Sequence, residues 1–337
     1  MRAAKVLLKD AEKVRQQLLT MGEIDTHFRA HRDGDFFFIP LKRKVAGMTV
    51  AGMKNVEHTF EEKDEKNALE KELSKALSAR EMTILPRSQE IIGDIMILEI
   101  PYALSKKERT IAQIFLRVNR HVKTVVKKRD AHGGTFRTRT VTVLAGRRKK
   151  ETVHRESGCN LKVHVENMYF SGRLAHERLR IAQQVKKSEH VLVMFSGCAP
   201  YVCVIAKKSG AHVTGIEINR AAHDYALENV QRNKLQAELY CGDVKKALPK
   251  IKKRFERIVM PLPKTGEEFL SLALHSVKYS GIIHFYAFLR ESEVEAQKKK
   301  IKMMCTTAGK KCRILRVVHA GQHAPYVFRM CFDIKVR

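Results

Sequence analysis

The C-terminal half of the chain alternates short apolar runs with amphipathic stretches, a pattern that predicts strands separated by helices. Helical spacing of apolar residues is clearest in residues 221–233 and 267–277. The last two apolar runs follow each other as in a hairpin. The pattern therefore predicts an α/β domain around a sheet of seven strands. The seven runs are residues 191–195, 213–216, 239–240, 258–260, 282–288, 314–318 and 326–334.

The N-terminal sixty residues predict a small α/β module of their own. Helical spacing of apolar residues is followed by an apolar run at 36–41 that predicts a strand. The residues at helical spacing are Leu7, Ala11, Val14 and Leu18. Segment 61–81 is highly charged and predicts a linker helix with one apolar stripe. The stripe consists of Leu69, Leu73 and Leu77.

A second small module is predicted for the middle of the chain. Residues 91–101 have the composition of a strand, with a bulge expected at Gly93, and a helical pattern runs from Ser105 to about Val118. The chain is therefore predicted to have four parts. They are an N-terminal module (1–60), a linker helix (61–81), a basic α+β module (82–158) and an α/β domain (159–337).

The region from 191 to 235 carries the strongest functional pattern. A predicted strand ends in a loop of small residues (196–200), and the next predicted strand ends on an acid, Glu217. In doubly wound sheets such a loop admits a ligand close to the backbone, and the acid accepts hydrogen bonds from ribose hydroxyls. Asp243 follows the third run, and its carboxylate is predicted to accept a hydrogen bond from the amino group of adenine. The structural alternative for both acids is a place at a helix N-terminus.

The charge of the chain indicates a polyanionic partner. It has 65 Lys and Arg against 36 Asp and Glu, a net charge of +29. Between Pro101 and Arg155 the imbalance is sixteen basic residues against three acidic ones. We interpret this stretch as an RNA-contact surface rather than an ordinary solvated one. No apolar run approaches the roughly 20 residues that span a bilayer, so we expect no membrane association.

The seven cysteines are odd in number and scattered through apolar runs. Their spacing lacks the paired CxxC pattern of zinc sites, so we expect reduced thiols, a cytoplasmic protein and no metal in the chemistry.

Residues 167–178 resemble the signature of the archaeal and eukaryotic tRNA (guanine-N1)-methyltransferase family, which modifies the purine 3′ of the anticodon. The signature reads tyrosine-phenylalanine-serine-proline-arginine-leucine, followed by glutamate-arginine. Residues 88–101, 136–139, 154–158 and 281–286 also match family motifs. The resemblance implies a class I, Rossmann-like methyltransferase domain preceded by two RNA-binding modules. It also implies S-adenosylmethionine as cofactor, tRNA as partner and N1 of guanosine 37 as methyl acceptor, and we expect a monomer.

The resemblance also implies the roles of individual residues. Guanine N1 carries a proton that a base must remove as the methyl arrives, and O6 then gains negative charge. Glu177 is implied as the base, Arg137 as the O6 stabiliser and Tyr169 as part of the target pocket. Two alternatives stay open: Glu177 pairing with Arg173 on a helix face, and Arg139 in place of Arg137. The predicted cofactor-binding residues are Arg178, Phe195, Gly197, Glu217, Ile218, Asp243, Val244 and Pro261.

Four positions depart from the family pattern. Gly172 replaces the signature's proline, Val193 replaces an acid and Ala199 replaces a glycine. Pro261 stands where the family has an asparagine whose side chain helps to orient the target base. These departures leave two alternatives. One is a wyosine-pathway methyl or aminocarboxypropyl transferase on the same tRNA position, and the other is a tRNA-binding protein with a degenerate active site.

Overall fold

The computed structural model describes residues 1–45, 53–61, 65–85, 89–129, 138–262 and 264–337. These residues form two compact units, Met1–Thr83 and Ile84–Arg337. Arg137, Ser88, Phe136 and Pro263 lie outside the described residues. The predicted four-part division of the chain stays a prediction. No helix in the described part of the chain is long and apolar enough to cross a membrane.

The first unit contains a four-stranded antiparallel sheet and one packed helix. The sheet order is β2-β3-β1-β4, and α1 buries Val14 and Leu18 against the sheet. The elements are β1 (Arg2–Leu7), α1 (Ala11–Thr20), β2 (His31–Asp33), β3 (Phe36–Pro40) and β4 (Lys54–Glu57). The predicted helix and strand are present, but Leu7 belongs to β1, since its neighbours pair with β3.

Two helices, α2 (Glu65–Ser74) and α3 (Ala79–Ile84), lie where the sequence predicts one linker helix. The break has a local cause. The Glu81 carboxylate accepts the backbone N–H of Ser78 at 2.7 Å, and the Ser78 hydroxyl accepts the N–H of Glu81 at 3.3 Å. This reciprocal pair is a capping box, which starts a new helix.

The second unit begins with a four-stranded sheet of order β5-β6-β7-β8. Its elements are β5 (Glu90–Ile92), β6 (Ile95–Leu98), α4 (Glu108–Val118), β7 (Thr124–Lys128) and β8 (Val141–Gly146). The prediction of a bulge at Gly93 is wrong. Gly93 has φ +56° and lies in the tight turn between β5 and β6, where a Cβ would approach Thr152 Oγ1 to 2.2 Å. The turn therefore requires glycine.

A hairpin connects this sheet to the C-terminal domain. It consists of β9 (Glu151–Glu156) and β10 (Cys159–His164), so the predicted boundary at 158/159 falls in its turn. Backbone groups on the free edge of β10 are bonded by two asparagine side chains, one within and one at the end of helix α7 (Arg220–Arg232). Asn229 bonds the backbone of Lys162, and Asn233 bonds that of Asn160.

The C-terminal domain is a seven-stranded sheet of order β13-β12-β11-β14-β15-β17-β16. The first five strands of this order are parallel, and β17 is antiparallel to both neighbours. The strands are β11 (His190–Met194), β12 (His212–Glu217), β13 (Glu238–Cys241), β14 (Phe255–Met260), β15 (Val277–Leu289), β16 (Cys312–Ala324) and β17 (Val327–Val336). The predicted fold class is confirmed.

Helices cover both faces of this sheet. They are α5 (Ala175–Ala182), α6 (Pro200–Ser209), α7 (Arg220–Arg232), α8 (Val244–Ala247), α9 (Glu267–Ser276) and α10 (Val294–Thr307). In β11, Val191 and Val193 belong to one buried cluster, whereas Leu192 and Met194 belong to the cluster on the opposite face. Burial on both faces explains why the strand appears in the sequence as a continuous apolar run.

Candidate active site

A cavity of about 530 Å³ opens at the carboxyl ends of β11, β12 and β14. In open parallel sheets ligands bind beyond the carboxyl ends of the strands, next to the point where the strand order reverses. The structure brings nine of the predicted site residues together around it. They are Tyr169, Arg178, Phe195, Gly197, Glu217, Ile218, Asp243, Val244 and Pro261.

The loop after β11 is built from unusual backbone conformations. Phe195, Gly197 and Ala199 have φ of +60°, +57° and +65°. For a residue with a side chain this left-handed region costs about 1–2 kcal/mol, and such strain is concentrated at functional sites. Pro200 then starts α6 with a φ suited to a first helical position. The tight loop turns its backbone N–H groups toward the end of β12.

Glu217 ends β12 and is 8% exposed. Its carboxylate oxygens accept the backbone N–H of Gly197 at 2.7 Å and that of Asn219 at 2.8 Å. Burial raises the pKa of Glu217, and these backbone donors offset part of the rise. A carboxylate offers about four acceptor positions, so Glu217 retains capacity for donors from a ligand.

Asn219 is a residue of the cavity wall that the sequence analysis did not select. Its side chain caps α7 by accepting N–H groups of Ala221 and Ala222, and it donates to the carbonyl of Asn167 at 2.8 Å. It therefore ties the segment that carries Tyr169 to the end of β12. An asparagine directly before a helical pattern is a capping signal that the sequence does contain.

Asp243 both lines the cavity and caps a helix. Its carboxylate accepts the N–H of Lys245 at 2.9 Å at the start of α8. The structural alternative proposed for this residue is thus compatible with a ligand role. Beside it, Val244, Ile218 and the edge-to-face pair Phe195–Phe269, with centroids 4.8 Å apart, give the cavity apolar surfaces. Phe269 is far along the chain, and nothing in its local sequence indicates this position.

Arg178 lines the cavity but is held by an acid. It is 2% exposed, and its guanidinium donates to both carboxylate oxygens of Glu156 at 2.5 Å. Burial acts to raise the pKa of Glu156, but bonds from His154 and Arg178 outweigh it and lower the pKa below its ordinary range. Arg178 also lies 5.2 Å from the ring of Phe170. Arg178 also donates to the Ser171 carbonyl at 3.1 Å, so the ion pair of Arg178 and Glu156 fixes this part of the cavity wall.

Glu177 is adjacent to Arg178, yet the described cavity lining does not include it. Neighbouring helical residues point about 100° apart, so one faces the cavity while the other faces the sheet. Glu177 is 3% exposed, and Arg180 donates to its two oxygens at 2.7 and 2.9 Å. Tyr286 donates to the same carboxylate at 2.5 Å. Its arginine partner is therefore Arg180, not the Arg173 that helix spacing suggested.

The carboxylate belongs to a larger buried cluster that we call the arginine network: Glu177, Arg180, Asp333, His284 and Arg257. Arg180 donates to Asp333 at 2.7 Å, and His284 bonds Asp333 at 2.6 Å through Nδ1 and Arg257 at 2.7 Å through Nε2. Burial alone acts to raise the pKa of Asp333, but His284 and Arg180 outweigh it and lower the pKa.

Two members of the arginine network and the neighbouring Cys331 are potential metal ligands. Donor atoms of His284, Cys331 and Asp333 lie within 4.8 Å of one another. Both ring nitrogens of His284 are already bonded, one to Asp333 and one to Arg257. The cluster is therefore held together by protein hydrogen bonds and ion pairs. That the chemistry uses no metal stays a prediction.

Tyr169 lines the cavity on the side of the β16–β17 hairpin. Its hydroxyl accepts a hydrogen bond from Arg329 at 2.9 Å, and the Arg329 guanidinium lies 5.3 Å from the ring of Phe288. Arg329 Nε is buried without a hydrogen-bond partner. Sequence reasoning missed Arg329, because strand β17 joins the site only through the sheet order.

The arginine that competed with Arg137 has a structural role in the described part of the chain. Arg139 is 6% exposed, donates to Glu90 at 2.7 Å and contacts the carbonyl of Val165. A buried arginine that donates from Nη1 to a carboxylate and from Nε to a backbone carbonyl is committed to its protein partners. The assignment of O6 stabilisation to Arg137 stays a prediction.

Comparison with known proteins identifies the family. Protein-family models match over residues 3–49 (tRNA methyltransferase 5 N-terminal domain), 69–149 (TYW2 N-terminal domain) and 152–315 (TRM5/TYW2 methyltransferase domain). The tRNA (guanine(37)-N(1))-methyltransferase Trm5b of Pyrococcus abyssi is 33% identical over 99% of this chain and 98% of its own. The chain belongs to the TRM5/TYW2 methyltransferase family. The resemblance predicted from residues 167–178 is confirmed.

The solved structure of the same relative and one further relative extend the comparison. The crystal structure of Trm5b from Pyrococcus abyssi has a TM-score of 0.74 and 32% identity, covering 100% of this chain and 99% of that one. The tRNA 4-demethylwyosine(37)-methyltransferase Taw21 of Saccharolobus solfataricus is 32% identical over 73% of this chain and 92% of its own. Relatives with different named substrates are therefore almost equally similar where they align.

The departures from the TRM5/TYW2 pattern have distinct structural settings. Val193 is fully buried in an apolar cluster, so it completes the core beneath the cavity. Ala199 occupies a left-handed conformation that glycine adopts at no steric cost. Pro261 lines the cavity directly after β14, where the N–H of Leu262 bonds the Met260 carbonyl at 2.7 Å. This tight turn gives the site a proline carbonyl and no side-chain amide.

Proposed function

We propose that the protein transfers a methyl group from S-adenosylmethionine to N1 of guanosine 37 in tRNA. One observation carries the proposal: a relative named for this reaction aligns with 99% of this chain, so the N-terminal segments are shared as well as the methyltransferase domain. Two proteins that shared only the cofactor, and not the substrate, would need to be similar only in the methyltransferase domain.

The residues around the cavity fit the cofactor. Glu217 presents spare acceptor positions for two ribose hydroxyls, and the walls made by Ile218, Val244 and Phe269 suit a flat base. Asp243 offers a carboxylate for an exocyclic amino group. When bound, S-adenosylmethionine supplies an electrophilic methyl group on a sulfonium.

The substrate side of the cavity is assigned from the remaining residues. Tyr169 and Arg329 present a ring and a cation beside the site, and the Pro261 carbonyl can accept the exocyclic amine of guanine. Glu177 is proposed as the final acceptor of the N1 proton, and Arg137 as the residue that stabilises O6. The base must leave its stack to reach the cavity, which costs least in an unpaired loop.

The helical surface of the middle segment supplies cations for tRNA. The buried face of α4 carries Ile111, Ile114 and Phe115, so the basic residues of this helix lie outward, and the other described basic residues of the region, apart from Arg139, are at least partly exposed. The exposed ones include Lys106, Arg109, Arg120, Lys123 and Arg129. Together with the net charge of +29, they favour an RNA partner whose binding weakens as salt rises.

We further propose that the protein acts as a monomer in the cytoplasm. The seven cysteines are all free thiols. Free thiols are typical of a reducing compartment.

The direct test is mass spectrometry of nucleosides from tRNA incubated with the protein and S-adenosylmethionine. We expect 1-methylguanosine from a transcript with G37 and none from the matched transcript with A37. Glu217→Ala should abolish most of the product at limiting cofactor. Cofactor binding without product from any tRNA, or no cofactor binding at all, would contradict the proposal and favour an RNA-binding role.

A second candidate is transfer to 4-demethylwyosine at the same tRNA position. It is favoured by the 32% identity to Taw21 and by Pro261, which removes the amide expected to orient guanine. The same assay decides it, using tRNA that carries 4-demethylwyosine. Product mass also separates a methyl group from an aminocarboxypropyl group.

A further inference from the structure

We propose that Tyr201 and Tyr286 carry the proton of the target base from the cavity to Glu177. This inference rests on the proposed function. It resolves a conflict between the expected role of Glu177 as base and its position outside the described cavity lining. The two tyrosines would make Glu177 a base that acts at a distance.

The geometry is a continuous chain of hydrogen bonds. Tyr201 lines the cavity, and its hydroxyl lies 3.2 Å from the hydroxyl of Tyr286. The Tyr286 hydroxyl lies 2.5 Å from Oε1 of Glu177. Tyr201 is 3% exposed and Tyr286 1% exposed, so bulk water does not compete for these bonds. The chain begins at the cavity and ends on a carboxylate.

The direction of every bond in this chain follows from the chemistry of its last member. An ionised carboxylate can only accept hydrogen bonds, so the Tyr286 hydroxyl donates its hydrogen bond to Glu177. The Tyr286 oxygen can then accept from Tyr201, which must donate in turn. This arrangement leaves the lone pairs of the Tyr201 oxygen available for one further donor. A protonated ring nitrogen in the cavity is a donor of that kind.

The arginine network has the charge needed to receive one proton. Glu177 and Asp333 contribute two negative charges and Arg180 contributes one positive charge. Arg257 can only donate, so His284 accepts at Nε2 and donates from Nδ1 to Asp333, which makes its ring neutral. Arg257 is balanced by Glu189 at 2.8 Å. One negative charge is therefore uncompensated, and such a charge is costly in a buried site.

The proton transfer balances. As the N1–carbon bond forms, the sulfur–carbon bond breaks and its electron pair stays on sulfur. The electron pair of the N1–H bond stays on the base, and its proton passes to Tyr201. The Tyr201 proton passes to Tyr286, and the Tyr286 proton to Glu177, which becomes neutral. Burial raises the pKa of both tyrosines, so the transfers occur together rather than through a free tyrosinate.

Direct contact between Glu177 and the base is the competing mechanism. It requires the Glu177 side chain to turn toward the cavity, which breaks its two bonds to Arg180 and its bond to Tyr286. Separating a buried carboxylate from its arginine costs several kcal/mol. The existing hydrogen bonds allow the same proton to arrive without that separation.

The test uses Tyr286→Phe and Tyr201→Phe, which remove single hydroxyl groups. We expect each variant to lower the single-turnover methylation rate about 100-fold at saturating cofactor and tRNA. The affinity for S-adenosylmethionine, measured by calorimetry, should change less than about threefold for Tyr286→Phe. The matched control is Tyr225→Phe, because Tyr225 also donates to a glutamate, Glu151 at 2.5 Å, away from the cavity. Its rate should stay within about twofold of the wild type.

A solvent isotope measurement separates relay from structural support. In mixtures of light and heavy water, the wild-type rate should depend on deuterium fraction with the curvature of several protons in flight. A linear dependence would overturn the relay even if the variants fail to fold. A Tyr201→Phe enzyme with the wild-type rate would also overturn it while leaving the proposed function intact. Failure of the wild-type protein to methylate any tRNA is instead a failure of the proposed function.

Discussion

The second unit contains two settings for a buried carboxylate, and they differ in the partners that bond it. Glu217, at the cavity, is bonded by backbone N–H groups of Gly197 and Asn219. Glu177 and Asp333, in the arginine network, share the guanidinium of Arg180. The pKa of Glu217 is raised by burial, whereas that of Asp333 is lowered by His284 and Arg180 despite burial.

The difference predicts a ligand-binding role for Glu217 and a position held by protein partners for Glu177 and Asp333. Backbone donors orient the Glu217 carboxylate without neutralising it, so its remaining capacity is available to ligand hydroxyls. Glu177 and Asp333 share the single cation Arg180, so their charge is partly compensated within the protein, and Arg180 holds Glu177 in place. Burial alone does not distinguish these roles, since both groups are almost inaccessible to water. The chemical identity of the hydrogen-bond partner, backbone N–H or guanidinium, distinguishes them.

The largest expected effect is on stability, from Arg180→Met. This change leaves Glu177 and Asp333 buried without their shared cation, so the free energy of unfolding should fall by about 3–5 kcal/mol. Urea denaturation followed by circular dichroism measures the loss. Arg220→Met is the control, because the pair between Arg220 and Asp224 is exposed and should contribute no more than about 1 kcal/mol. Equal losses in the two variants would remove the distinction.

Glu217→Ala tests the other side of the comparison. Two hydrogen bonds from ligand hydroxyls to a charged acceptor should be lost, which predicts about 10- to 100-fold weaker binding of S-adenosylmethionine. Isothermal titration calorimetry measures the dissociation constant. Glu238→Ala is a matched change on the neighbouring strand, where the side chain pairs with Lys253 at 2.6 Å. If both variants bind like the wild type, Glu217 is not a cofactor ligand.

The two groups should also respond to pH with opposite sign. The folded-state pKa of Glu217 is raised, so the native state binds more protons from pH 4.5 upward and stability falls as pH rises through that window. The folded-state pKa of Asp333 is lowered, so its contribution is present above pH 3.8 and is lost as pH falls below it.

The measurement is the free energy of unfolding against pH for the wild type, Glu217→Gln and Asp333→Asn. Subtracting each variant from the wild type isolates one group. The wild-type-minus-Glu217→Gln difference in the free energy of unfolding should decrease as pH rises above 4.5. The wild-type-minus-Asp333→Asn difference should decrease as pH falls below 3.8. Two differences with the same slope would show that the partners do not set the behaviour of the acids.

The sequence predicts one of these groups much better than the other. Glu217 follows a buried strand directly, and a strand end next to a small-residue loop is a local pattern. The arginine network joins Arg180 to Asp333 across 153 positions, through the order of strands in the sheet. No local periodicity contains that order. The motif containing Glu177 marks the helix, but the side chain's direction depends on how α5 packs against the sheet.

The same limit explains the errors in the fold. Hydrophobic periodicity predicts the strands of the C-terminal sheet because they are buried on both faces. It does not distinguish a bulge from a turn at Gly93, because that choice depends on the approach of Thr152 from another strand. The break between α2 and α3 depends on the capping pair of Ser78 and Glu81, which the high charge of this segment makes hard to recognise in the sequence.

The smallest expected effect concerns the loop that presents backbone N–H groups to Glu217. Ala199 has φ +65°, so Ala199→Gly should relieve a steric cost and raise the free energy of unfolding by up to about 1 kcal/mol. Ala206→Gly makes the same chemical change inside α6, where it should lower stability by about 1 kcal/mol. Paired thermal denaturation curves measure both changes. Destabilisation by both would mean that Ala199 does not keep its left-handed conformation in solution.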